Sequence, residues 1–245
     1  MLQSKYVSDT WSAYKYGDKI KVVYHKVGVN NRGTEQRYKS GKQPNPTPLI
    51  GQSRFAASLA RSRAAVFELA LCNDFTLFVT CTLDALKRDR NDLQAFRKTF
   101  TQFIRDQNKK RPDGQKIEYL LIPEQHKNGA WHMHGLFKGL EVGKDIVKNE
   151  HGYFDWYEYR KRFGFFSCSK IKNAEACSKY ITKYVTKSMT SDKSVTDIDA
   201  GCHLYYASQG LKKRETLVRY AADECPVTDW DFENEYVKIG WLSTE

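Results

Sequence analysis

The chain has 245 residues, 40% hydrophobic and 13% aromatic, enough for a sizeable core and enough to exclude wholesale disorder. Lys and Arg number 40 against 29 Asp and Glu, and the formal charge of +11 favours an anionic partner, nucleic acid first among them. Six scattered cysteines with no Cys-x-x-Cys pair argue against a zinc ribbon and a disulfide framework. The opening Met-Leu-Gln-Ser-Lys-Tyr has no apolar signal core and no run reaches membrane-span length, so an intracellular protein with no membrane partner is expected.

Residues 1–50 are basic, and Lys19–Val27 alternates as a strand would (Ile20, Val22, Tyr24). Gly28–Pro48, broken by Asn30-Asn31, Gly33, Gly41, Pro44, Pro46 and Pro48, reads as a loop. Gln52–Leu71 has the apolar spacing of a helix, with Leu59, Val66, Leu69 and Ala70 on one side. Phe75–Leu83, dense in aromatic and β-branched residues, is expected as a buried central strand. A second helix follows, with capping side chains at Asp89-Arg90-Asn91 and an apolar face of Leu93, Phe96, Phe100, Phe103 and Ile104.

Ile117–Pro123 reads as a strand, and Asn128-Gly129 as the turn that returns the chain through Ala-Trp-His-Met-His-Gly (Ala130–Gly135). Asp155–Arg162 is expected as a helix, Phe165–Ile171 as a strand, Ala174–Lys187 as a helix and Cys202–Ser208 as a strand. Lys212, Lys213 and Arg214 form a basic cluster at a turn and are candidate DNA contacts, and the tail from Ala222 is acidic. Strands and helices in this order predict an α+β fold, a central antiparallel sheet flanked by helices.

Two constellations carry chemistry. His132 and His134 are two apart, so on a strand both imidazoles share a face and could hold two positions around a divalent metal. Spacing alone equally suits one packed and one solvated ring. The helix Ala174–Lys187 carries a tandem Tyr-x-x-Lys. Tyr180 and Tyr184 lie one turn apart on one face, with Lys183 and Lys187 three residues after each. A phenol titrates near ~10, so it needs adjacent cations to act as a nucleophile, and the same cations hold an anionic phosphodiester. A packed amphipathic helix with solvated lysines is the plainer alternative. Metal and nucleophile complement each other: a Lewis acid on a phosphate oxygen offsets charge as tyrosine attacks.

Here the residues resemble a known family. His132-Met133-His134 is similar to the His-hydrophobic-His motif of the HUH endonucleases, and Tyr180–Lys187 to the two-tyrosine motif of their rolling-circle replication initiators. Phe78–Asp84 resembles their Thr-rich first motif, and the three occur in the initiators' order. Glu68–Asn73 and Tyr206–Leu211 resemble phage-type members. The resemblance implies an RNA-recognition-like palm at residues 51–215, with residues 1–50 as an extension and 216–245 as an acidic segment packed on it.

It also implies Mg²⁺ or Mn²⁺ bound through both histidines and one further side chain. A tyrosine would cut single-stranded DNA at a replication origin, leaving a 5′-phosphotyrosyl enzyme, and the second tyrosine would permit rejoining. Glu124 is the expected further ligand, because a carboxylate suits a hard cation. A two-residue Asn128-Gly129 turn would put Gln125 opposite His132 and turn Glu124 away, whereas a longer turn or bulge restores it. Gln125 and His126 are the alternatives, and His25, His151 and His203 are read as ordinary. No P-loop motif occurs, so unwinding would fall to a separate host helicase, in the cytoplasm and at the nucleoid. A single-strand-binding module without cleavage, a relaxase and a single-strand transposase are the competing readings; relaxases usually place the tyrosine before the histidines, and the similar transposases usually have one.

Overall fold

A computed structural model of the chain describes residues 6–7, 9–26, 29–30, 48–112, 114–187 and 203–244. Its elements in order are β1 (Tyr6–Val7), β2 (Thr10–Tyr16), β3 (Lys19–His25), β4 (Val29–Asn30), α1 (Pro48–Leu71), β5 (Leu77–Thr82) and α2 (Leu93–Lys109). There follow β6 (Glu118–Gln125), β7 (Trp131–Lys138), β8 (Ile146–Lys148), β9 (Phe154–Trp156), α3 (Tyr157–Arg162) and β10 (Phe166–Lys170). The last are α4 (Ala174–Lys187), β11 (Tyr206–Ala207), β12 (Glu215–Ala221), β13 (Phe232–Glu233) and β14 (Val237–Ser243). Two compact units result: residues 48–212, and residues 1–47 with 213–245.

The unit 48–212 is an α+β fold around a five-stranded antiparallel sheet in the order β10-β5-β7-β6-β11. Strand alternation divides its residues between two covered faces. Leu77, Val79, Cys81, Met133 and Phe137 pack with Phe96, Phe100 and Phe103 of α2 and with Trp156, Tyr159 and Phe163. On the other face Leu120, Ile122 and Leu136 pack with Val66 and Leu69 of α1 and with Ile181 and Val185 of α4. Burying each large apolar side chain contributes about 2 kcal/mol, so this two-sided packing sets the strand register.

Several expected boundaries move for local reasons. The cap of α2 is Asp92, whose side chain accepts from the Ala95 amide at 2.8 Å. Asp89 instead closes a turn by accepting from Asn91 N–H at 2.8 Å. Asp155 belongs to strand β9, so α3 begins only at Tyr157. The expected strand Cys202–Ser208 is reduced to Tyr206–Ala207, with Cys202 outside the described residues. Most of the Gly28–Pro48 loop also lies outside them.

The second unit is a five-stranded antiparallel sheet in the order β12-β2-β3-β14-β13. It draws its strands from the regions expected as a basic extension, residues 1–50, and an acidic segment, residues 216–245. Lys15 pairs with Glu215 and His25 with Val237, so residues from both segments share one sheet and a small core of Trp11, Ala13, Val22 and Val227. Locally β2 reads only as Thr-Trp-Ser-Ala-Tyr-Lys-Tyr; β3 follows it directly, but its other partner, β12, lies near the other end of the chain. Among the described residues no helix is long and apolar enough to cross a membrane.

Candidate active site

The hairpin β6–β7 sets the first half of the site. Its loop is one residue longer than Asn128-Gly129 alone. His126 N–H donates to Ala130 O at 2.9 Å, leaving Lys127, Asn128 and Gly129 in the loop, with Gly129 at φ +86°. A turn followed by a left-handed glycine is the usual three-residue hairpin, and only glycine takes that φ without strain. The longer loop puts Glu124 opposite His132, while Gln125 pairs with Trp131 on the other face. The Gln125 side-chain amide donates to Gly129 O at 3.0 Å, within the turn itself.

β5 supports the histidines from the opposite side. Thr80 pairs with His134 and Thr82 with His132, so both hydroxyls share the imidazole face. Thr80 Oγ1 lies 3.1 Å from His134 Nδ1 and Thr82 Oγ1 3.0 Å from His132 Nδ1. Each ring is thereby held through Nδ1, which leaves Nε2 to face the site. His134 Nε2 lies 2.6 Å from Glu124 Oε2, and the His126 ring stacks on His132 at 3.9 Å. Burial first, and then the neighbouring His126 and His134, hold His132 below the ordinary histidine range, which favours its neutral, metal-ligating form.

Helix α4 brings the second half. Asn173 caps it by accepting from Ala176 N–H at 2.9 Å, and buried Ile181 and Val185 seat it on the sheet. Helical spacing then lays Tyr184 over His134, with ring centroids 4.0 Å apart and planes at 23°. The Tyr180 and Tyr184 hydroxyls are 2.9 Å apart, and Phe78 touches both rings. Burial first, then the hydrogen bond with Tyr180 and the nearby Glu124 carboxylate, raise Tyr184 well above the ordinary phenol range. Its phenolate therefore needs added positive charge. Lys183 Nζ sits 5.7 Å from the Tyr180 ring centre. The Lys187 side chain is outside the described residues.

The donor chemistry suits a divalent cation: one carboxylate and two neutral-competent imidazoles anchored at their far nitrogens. The arrangement is not a ready cage. Among the described residues no three His, Cys, Asp or Glu side chains stand ready to hold a metal ion, and Glu124 is bonded to His134 instead. That bond would have to open to admit one.

Residues 76–189 match a family model for replication-associated proteins of the ORF2 type. The match runs from the start of β5 past the end of α4 and so takes in both halves of the site. It supports a replication initiator role. No curated protein and no solved structure matches the chain.

The predicted basic cluster is divided between the two units. Lys212 ends the unit 48–212, its backbone clamped by the Asn73 side chain, which accepts from its N–H at 3.0 Å and donates to its carbonyl at 2.9 Å. Lys213 and Arg214 belong to the other unit. There the Arg214 guanidinium lies 4.2 Å from the Tyr14 ring centre and bonds Tyr16 Oη at 3.2 Å, a structural engagement. Sequence reasoning named the Thr-rich strand only by resemblance. Its bonds to the imidazoles, and the seat of Tyr184 on His134, depend on register across three strands and a helix.

Proposed function

We propose that the chain initiates rolling-circle replication by nicking and rejoining single-stranded DNA at an origin, in a metal-dependent reaction with tyrosine as nucleophile. The observation that carries this reading is the meeting of the Tyr180 and Tyr184 hydroxyls, 2.9 Å apart, beside the His134–Glu124 pair. Tyr180 is 46% exposed while Tyr184 is pressed on His134, so Tyr180 makes the first cut. Its phenolic oxygen bonds to phosphorus as the bond from phosphorus to the 3′ oxygen breaks. The phenolic proton is given up, the leaving 3′ oxygen gains one, and a 5′-phosphotyrosyl link remains. The bonded Tyr184 hydroxyl relays that proton, passing its own on to solvent as it takes the one from Tyr180, and Lys183, over the Tyr180 ring, adds positive charge for the anionic phosphodiester. A Mg²⁺ or Mn²⁺ ion on Glu124, His132 and His134 would supply Lewis acidity at a phosphate oxygen. Tyr184 then serves the second transfer, and a separate helicase opens the duplex.

One observation favours a second reading, single-strand binding without cleavage: the direct Glu124–His134 bond in place of a cage. Incubation with a single-stranded DNA library and Mn²⁺, followed by denaturing electrophoresis, separates the two. Nicking leaves a covalent adduct, reduced more by Tyr180→Phe than by Tyr184→Phe and abolished by both together. Binding without any adduct sinks the nicking reading.

A further inference from the structure

We propose that Phe165 is a stacking platform for a DNA base beside the scissile phosphate, an inference that rests on the strand-nicking reading above. The cross-strand register lays out the site face in rows. Phe165 O accepts from Thr82 N–H at 2.9 Å, Thr82 pairs with His132, and His132 pairs with Glu124. One row further along, Ser167, Thr80, His134 and Ile122 follow one another across β10, β5, β7 and β6. Phe166 pairs with Cys81 and is buried on the α2 side, so alternation turns Phe165 to the face that carries the histidines. There its ring is 68% exposed, and Ser167 and Ser169 on the same side of β10 are exposed as well.

An exposed phenylalanine forgoes the stabilisation that burial brings, and this one is not on a loose loop. Gly164, at φ +147°, lets the chain lie against the end of β5, where a side chain would come within 2.7 Å of Thr82 O and also strike the Asp84 amide. The ring is thus fixed by the backbone at the rim of the site. Two inter-strand spacings, about 10 Å, separate its strand from that of His132, a span comparable with a nucleotide's reach from phosphate to base. Thr80, Thr82, Ser167 and Ser169 give hydroxyls to the floor between Phe165 and the half-exposed Tyr180 ring, which itself rests on Phe78. A protein partner would call for a contiguous apolar patch. A flat ring beside polar groups fits a base that stacks while its phosphate stays on the polar floor.

The probe is a short fluorescent oligothymidylate, set against an abasic deoxyribose-phosphate oligomer of the same length. Both are titrated onto the full chain carrying Tyr180→Phe and Tyr184→Phe, so that no cleavage intervenes. Adding Phe165→Ala is expected to weaken oligothymidylate binding about tenfold to a hundredfold and to leave the abasic oligomer nearly unaffected. Phe165→Trp restores binding. Equal losses on both oligomers, or no loss on either, overturn the platform. Failure of the nicking reading shows separately, as a chain with native tyrosines that binds oligothymidylate but forms no adduct on any single strand.

Discussion

At the residue scale, the Thr80 and Thr82 hydroxyls bear most directly on the proposed metal chemistry. Each meets the Nδ1 of one imidazole, so each fixes which nitrogen faces Glu124 and the tyrosines. Loss of such an outer partner typically costs ten- to a hundredfold in metal affinity. Thr80→Val and Thr82→Val, which keep the β-branched shape, are each expected to weaken Mn²⁺ binding by about 10-fold or more, with Thr→Ser close to wild type. Calorimetric Mn²⁺ titration of the folded variants reads this, and equal affinity in all of them refutes the positioning role. His132, His134, Tyr180 and Tyr184 were legible in the sequence because their spacings, two on a strand and four on a helix, are local. Thr80 and Thr82 as imidazole partners were not, since hydrogen bonds across strands follow from register.

At the element scale, the β6–β7 hairpin decides the site. Asn128-Gly129 announced a turn, yet the same dipeptide serves a two-residue loop or the three-residue loop observed, and the two place Glu124 on opposite faces. Sequence left that open because the choice depends on how Ile122 and Leu136 seat on α1 and α4. Gly135, between His134 and Leu136, is a second fixed point. A Cβ there would come within 2.5 Å of Leu120 O and would also strike the Leu121 side chain. Gly135→Ala is expected to destabilise the unit by about 1–3 kcal/mol, read as a lower urea midpoint at unchanged slope. An unchanged midpoint means β6 and β7 can part more easily than their register implies. Helix α4, by contrast, ran from Ala174 to Lys187 as its periodicity predicts, because capping and amphipathic spacing are both local.

At the scale of the whole molecule, Glu124, His132, His134, Tyr180 and Tyr184 all lie within residues 48–212, which have their own two-sided core. An excised fragment of these residues is expected to unfold in one cooperative step and to bind single-stranded oligonucleotide; a chain lacking only residues 213–245 strips β2 and β3 of both flanking strands. A two-stranded remnant is marginal in water, so this second truncation is expected to aggregate more readily than the fragment, as light scattering on warming would reveal. The opposite ranking would mean that the 48–212 core depends on the second sheet. That sheet was the least legible part of the sequence. No local pattern ties Lys15 to Glu215 or His25 to Val237. The same pairing orders events at the ribosome. Strands β2 and β3 emerge first but wait, edges open, until the last strands have been made, while the 48–212 unit between them can already close. In a nascent chain, the unit proposed to cut DNA would be assembled before the sheet that draws its strands from either side of it.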